Sequence, residues 1–158
     1  MTLIAAAQQG SNEEIKSVAK SIMVATRFAG LTTIDSLGYP NTRTMDALTP
    51  EDDFIVWLAT NPKSRKVRQI EANQKVTLYY AQHDKGNYVT IVGNASLIDD
   101  PETKQAKWQD EWAEFYPSQD EMILIKVTPT SLELVSYEND IISERIDWQA
   151  PSIQLKQN

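Results

Sequence analysis

The amino-acid sequence predicts a mainly β (α+β) protein, an antiparallel sheet or barrel with helices packed outside it. Three observations carry that reading. Short stretches rich in Val, Ile, Thr and aromatic residues follow one another closely along the chain. Most are joined by turns too short to hold a crossover helix. Helical periodicity is confined to three segments, and these do not alternate with the strands as βαβ units would require.

The elements follow in order. Residues 1–10 read as a flexible tail. Ser11 opens a helix, with Glu14 three residues on in a capping-box pattern. Ile15, Val18, Ala19, Ile22 and Met23 recur at helical spacing, giving one apolar face to about Arg27, with Gly30 as a stop. Leu31 to Leu37 and Thr42 to Leu48 read as strands around a turn at Gly38-Tyr39-Pro40-Asn41. After a turn at Thr49 to Asp52, Phe54 to Ala59 is continuously apolar, as in a strand buried on both faces. Thr60-Asn61-Pro62 breaks it, and a short helix runs from about Lys63 to Glu71.

Val76 to Ala81 and Tyr88 to Ile98 read as strands around a polar loop, and Gly93 inside the second marks a bulge or a close backbone approach. Pro101 to Phe115 reads as one helix with Trp108, Trp112 and Phe115 on a single stripe, ended by Pro117. Met122 to Val127 and Ser131 to Tyr137 read as the last two strands, kinked at Pro129. The segment beyond Asn139 carries no clear pattern.

Length and composition fit one globular domain over residues 11–158. No cysteine is present, which removes disulfides, thiolate metal sites and cysteine nucleophiles. The only histidine is His83, so neither a histidine metal cluster nor a Ser-His-Asp triad is expected. A net charge of −7 and a pI near 4.7 disfavour nucleic acid and anionic membranes as partners. No stretch approaches the roughly 20 apolar residues of a membrane span. The first ten residues lack the charged start of a signal peptide, and the expected location is the cytoplasm.

The chemistry concentrates in one place. Lys63, Arg65, Lys66 and Arg68 put four of the chain's fifteen basic residues into one short run at the start of a helix. Free amides and the helix dipole favour an anion there. Ser64 adds a hydroxyl, arginine can grip a phosphate with two parallel hydrogen bonds, and lysine adds a point charge. This describes a phosphate site. It equally describes a solvated basic face on a surface helix, with Lys63 and Arg68 pointing to water under either reading. Arg43, isolated among Thr42, Thr44 and Met45, can meet the same ligand or form an ordinary cross-strand ion pair.

The run Thr60-Asn61, Ser64-Arg65-Lys66, Gln69-Ile70, Asn73, Val76 and Leu78 resembles the FMN-phosphate segment of the pyridoxamine 5′-phosphate oxidase-like superfamily, at the same spacing. An Arg-x-Met strand (Arg43, Met45) before it and the strand Tyr88 to Ala95 after it fit the same order. The resemblance covers roughly residues 11–137 and is nearest the general stress protein branch. It implies a six-stranded antiparallel split β-barrel with flanking helices, forming a homodimer with flavin sites at the interface. It implies FMN as cofactor, with FAD possible. By position, Ser64, Arg65 and Lys66 would hold the phosphate. Ala59 and Thr60 would line the flavin, and Arg43, Thr44 and Met45 would run beside the isoalloxazine.

Two departures matter. Tyr88 stands where the oxidase has a flavin-contacting glutamine, and Arg145-Ile146-Asp147 replaces the oxidase's substrate-binding Arg-x-His. FMN binding is therefore expected and pyridoxamine phosphate oxidation is not. The expected function is an FMN-dependent oxidoreductase of unassigned small-molecule substrate. The alternatives are a non-enzymatic flavin reservoir or sensor, and a cofactor-free structural dimer. Trp108 and Trp112 are expected to dock their helix rather than cover the flavin, Trp57 to be core, and His83 to lie on an exposed turn.

Overall fold

A computed structural model describes residues 10–155. Residues 1–9 of the expected N-terminal tail lie outside that range. Helix α1 (Asn12–Thr26) begins as expected, with the Ser11 side chain accepting the Glu14 amide. It buries Ile15, Ala19, Ile22 and Met23. Seven strands follow: β1 (Phe28–Ile34), β2 (Pro40–Asp46), β3 (Val56–Thr60), β4 (Lys75–Gln82), β5 (Asn87–Ile98), β6 (Ile123–Val135) and β7 (Ser152–Gln154). Helix α2 (Arg65–Ala72) lies between β3 and β4, and α3 (Pro101–Lys107) after β5. The sheet is antiparallel throughout, in the order β2-β1-β4-β5-β6-β3, with β7 added alongside β6.

That path makes β2 and β3 the two edges of a curled six-strand sheet. They meet at one bridge, Ala47 to Leu58, and by the Leu48 N–H donating to the Trp57 carbonyl at 3.0 Å. The barrel is thus closed at one point and split beyond it. Leu31, Leu58, Leu78, Val89, Ile91, Ile125 and Leu132 fill the interior, and α1 packs against β4 and β5. Among the described residues no helix is long and apolar enough to cross a membrane.

Several expectations about the elements are corrected. Gly30 does not stop α1; it sits inside β1, opposite Thr44 and Tyr79. The chain reverses instead at Arg27, whose φ is 55° and whose guanidinium pairs with Asp46 through two 2.7 Å hydrogen bonds. Burial of Ala29, Leu31 and Thr33 draws this segment into strand pairing that local periodicity does not record. Pro40, expected in the turn, begins β2, which an edge strand permits because no inner neighbour needs its missing N–H.

The helix expected over residues 101–115 ends at Lys107, and a 3-10 turn, Asp110–Glu114, follows. Trp108 and Trp112 still meet edge to face, with centroids 6.1 Å apart, but Phe115 is 74% exposed and leaves the stripe. Trp112 docks on a second apolar cluster with Trp57, Met122 and Leu124, on the outer side of β3 and β6. The two strands expected around Pro129 are one strand. Register shifts between Val92 and Gly93, opposite Pro129, so the proline is absorbed by a bulge. Only glycine fits at 93: an added Cβ would lie 2.3 Å from the Thr128 carbonyl oxygen.

Candidate functional site

The cationic residues gather where β3 ends and α2 begins. Ser64 is the N-cap of α2, but its hydroxyl caps no amide. A helix start leaves its first amides without intrahelical acceptors, so hydroxyl and amides are both available to an anion. Lys66 lies half-buried on the first turn and its Nζ donates to Thr60 Oγ1 at 2.9 Å. Thr60 is buried, and its hydroxyl oxygen is 3.5 Å from that of Ser64. Arg65 is exposed on the same turn. Lys63 and Arg68 do point to solvent, with Arg68 Nη1 donating to the Lys63 carbonyl at 3.0 Å.

Arg43 joins them from β2. Arg43 and Met45 face the barrel interior, while Thr42 and Thr44 are exposed. Arg43 forms no cross-strand ion pair among the described residues. Arg43 Nη1 donates to Thr33 Oγ1 at 2.7 Å and to the Leu31 carbonyl at 3.1 Å, and Nη2 donates to Gln69 Oε1 at 3.2 Å. Thr33 in turn donates to Gln69 Oε1 at 2.6 Å. Met45 is buried in the main core, so its side chain is occupied by packing and only its backbone runs along the split edge. Ala59 is half-buried beside the outer cluster.

The electrostatics are unusual for a chain of this net charge. Arg43, Arg65 and Lys66 form no ion pair among the described residues, although six other basic residues do. Burial, then the charges of Arg43 and Arg65, hold the Lys66 ammonium below the ordinary lysine range. Burial and the charge of Arg65 act the same way on Arg43. One acid, Asp35, feels the charge of Arg65. The Tyr39 amide and the Asn41 side chain hold its carboxyl below the usual carboxylate range, with a smaller push from Arg65. Mutual repulsion in a half-buried cluster is relieved by an anion, and a phosphate monoester matches the mixture of guanidinium, ammonium, hydroxyl and amide donors.

The structure therefore brings together Arg43, Thr60, Ser64, Arg65 and Lys66. It leaves Thr44 exposed on the opposite face of β2 from Arg43. Sequence reasoning missed the roles of Thr33 and Gln69. For Gln69 a signal exists: it follows Lys66 by three residues and precedes Ile70, so it shares their helix face. For Thr33 there is none, because strand alternation does not tell which polar residue has a cation over it. Trp57 points away from the barrel interior, with Nε1 donating to Glu51 Oε1 at 2.9 Å and Lys107 Nζ 4.8 Å above its ring. His83 lies on the exposed β4–β5 turn.

No match is found among curated proteins. The fold is similar to that of a general stress protein 26-related protein of the pyridoxinephosphate oxidase family from Clostridium acetobutylicum, with TM-score 0.77, 19% identity, and coverage of 91% of this chain and 96% of that one. It is similar to general stress protein 26 from Bacillus anthracis, with TM-score 0.67, 23% identity, and 77% and 94% coverage. A heme binding protein from Mycobacterium smegmatis shares it with TM-score 0.67, 14% identity, and 89% and 57% coverage. The description of a family, pyridoxamine 5′-phosphate oxidase like, matches residues 13–142. That match spans most of the chain, and the chain belongs to the pyridoxamine 5′-phosphate oxidase-like family.

Proposed function

We propose that the protein binds FMN, with the phosphate held at the start of α2 and the ring along the split between β2 and β3. One observation carries this reading: Arg43, Arg65 and Lys66 converge without an acid partner among the described residues, next to the hydroxyls of Thr60 and Ser64. Such a set fits a phosphate monoester. In this reading Lys66 and Arg65 bind the phosphate, Ser64 and the first amides of α2 orient it, and the Arg43, Thr44 and Met45 backbone borders the ring. Bound flavin would supply the redox chemistry, making the protein an oxidoreductase for a small molecule or a reduced nicotinamide. The replacement of the oxidase's substrate motif by Arg145-Ile146-Asp147 favours a substrate other than pyridoxamine phosphate.

Homodimerisation is part of the proposal. Phe28, Tyr79 and Val92 stand exposed on the outer face of β1, β4 and β5, an apolar patch that a second copy would cover. The deciding experiment is an absorption spectrum of the purified protein, followed by titration with FMN and anaerobic addition of NADH or NADPH. Flavin bands or saturable FMN binding support cofactor binding, and bleaching by a nicotinamide supports oxidoreductase activity. Binding without bleaching leaves a flavin reservoir or sensor. A Soret band in place of flavin bands assigns haem, the ligand named for the mycobacterial neighbour, and no binding at all leaves a cofactor-free structural role.

A further inference from the structure

We propose that Gln69 sets the charge of this site: it holds the Arg43 guanidinium in place with a neutral oxygen, so that the cluster keeps its full positive charge for an anion. The inference rests on the phosphate reading above and deepens it by naming the residue that fixes both the position and the strength of the cationic field.

The geometry is specific. Gln69 is 7% exposed and Thr33 fully buried, and both aim oxygens at a guanidinium that no carboxylate meets among the described residues. The third acceptor, the Leu31 carbonyl, is also neutral. A half-buried arginine is ordinarily held by a carboxylate, which gives the shorter and stronger bond. A glutamate at 69 would be nearly isosteric with the glutamine and would make that bond. It would also cancel one charge beside Lys66. The groups facing the cluster are Arg43 from β2, Arg65 and Lys66 from α2 and, behind Arg65, Asp35 from the β1–β2 turn. Gln69 therefore gives up fold stability in favour of anion affinity. Gln69 touches no ligand in this account; it is a positioning residue acting through Arg43.

A merely structural role would move stability and affinity together, and the charge-setting role separates them. The full chain and its Gln69→Glu and Gln69→Leu variants are titrated with FMN and with riboflavin by flavin fluorescence, and unfolded thermally. The Lys66 ammonium is followed by NMR of 13C-labelled lysine. Gln69→Glu should weaken FMN by roughly tenfold or more, leave riboflavin within about twofold, and keep or raise the unfolding midpoint. It should also move the Lys66 titration to higher pH. Gln69→Leu should lower the midpoint without raising the Lys66 titration. FMN affinity within about twofold of wild type for Gln69→Glu overturns the inference. If wild type takes no FMN, the cofactor reading fails by itself and Lys66 decides: an upward move supports charge setting, and an unmoved titration overturns it. If Gln69→Glu does not fold, Thr33→Val serves. Removing that acceptor should weaken FMN several-fold and spare riboflavin, and unchanged FMN binding overturns the inference.

Discussion

Lys66 Nζ donates to Thr60 Oγ1 at 2.9 Å, tying the second residue of α2 to the last residue of β3. Strand end and helix start are thereby fixed as one unit, and the Lys66 side chain is held half-buried there. Removing this charge is expected to weaken FMN more than it destabilises the fold. Lys66→Ala and Arg65→Ala should each cost about 1.5–3 kcal/mol of FMN binding, the worth of a charge-assisted hydrogen bond. Flavin fluorescence titration checks this, and unchanged affinity in both would leave the basic run as a solvated helix face.

FMN binding should fall as pH rises through the titration of Lys66. Burial and the neighbouring guanidinium groups hold the folded-state value below the ordinary 10.5 of lysine. The unfolded chain therefore binds more protons between the two values, so Lys66 makes stability rise with pH in that window. Anion binding has the opposite sign, because the bound phosphate favours the ammonium. Lys66→Arg should flatten the decline, and an identical pH profile in the variant would count against Lys66 as its source.

Gly93→Ala should destabilise the fold by about 1–3 kcal/mol, as overpacking does. The new methyl would meet backbone at the Thr128 carbonyl oxygen and, 2.9 Å away, at the Pro129 Cα, neither of which can swing aside as a side chain would. Urea unfolding measures the change. A neutral result would mean that the bulge shifts freely along β6.

Trp112 and Phe115 should part company under alanine substitution. Trp112 is 5% exposed among Trp57, Met122 and Leu124, whereas Phe115 is 74% exposed. Trp112→Ala is expected to cost about 3–5 kcal/mol and Phe115→Ala less than about 0.5 kcal/mol. Equal losses in thermal unfolding would restore the single aromatic stripe.

Tyr80→Phe should leave stability unchanged or raise it by about 1 kcal/mol. The Tyr80 hydroxyl is buried with no hydrogen-bond partner among the described residues, and burial drives its titration far above the ordinary range. A clear loss on denaturant unfolding would reveal a partner for that oxygen.

Sequence by itself determined the order of most elements, the α1 cap at Ser11, the bulge at Gly93 and the crowding of cations at residues 63–68, because each is written in neighbouring residues. Capping, turn chemistry and charge spacing act within a few positions, where a linear reading can see them. Only the tertiary structure decided that β6 runs unbroken through Pro129, that residues 101–115 form a short helix and a 3-10 turn, and that β2 and β3 become the two edges of the split. Those outcomes depend on partners far along the chain: Gly93 for the proline, Trp57 for Trp112, Leu58 for Ala47. The same holds for the site. Two of its three cations, Arg65 and Lys66, could be read from one segment, but what holds Arg43 could not, since Thr33 and Gln69 reach it only once β1, β2 and α2 are packed together.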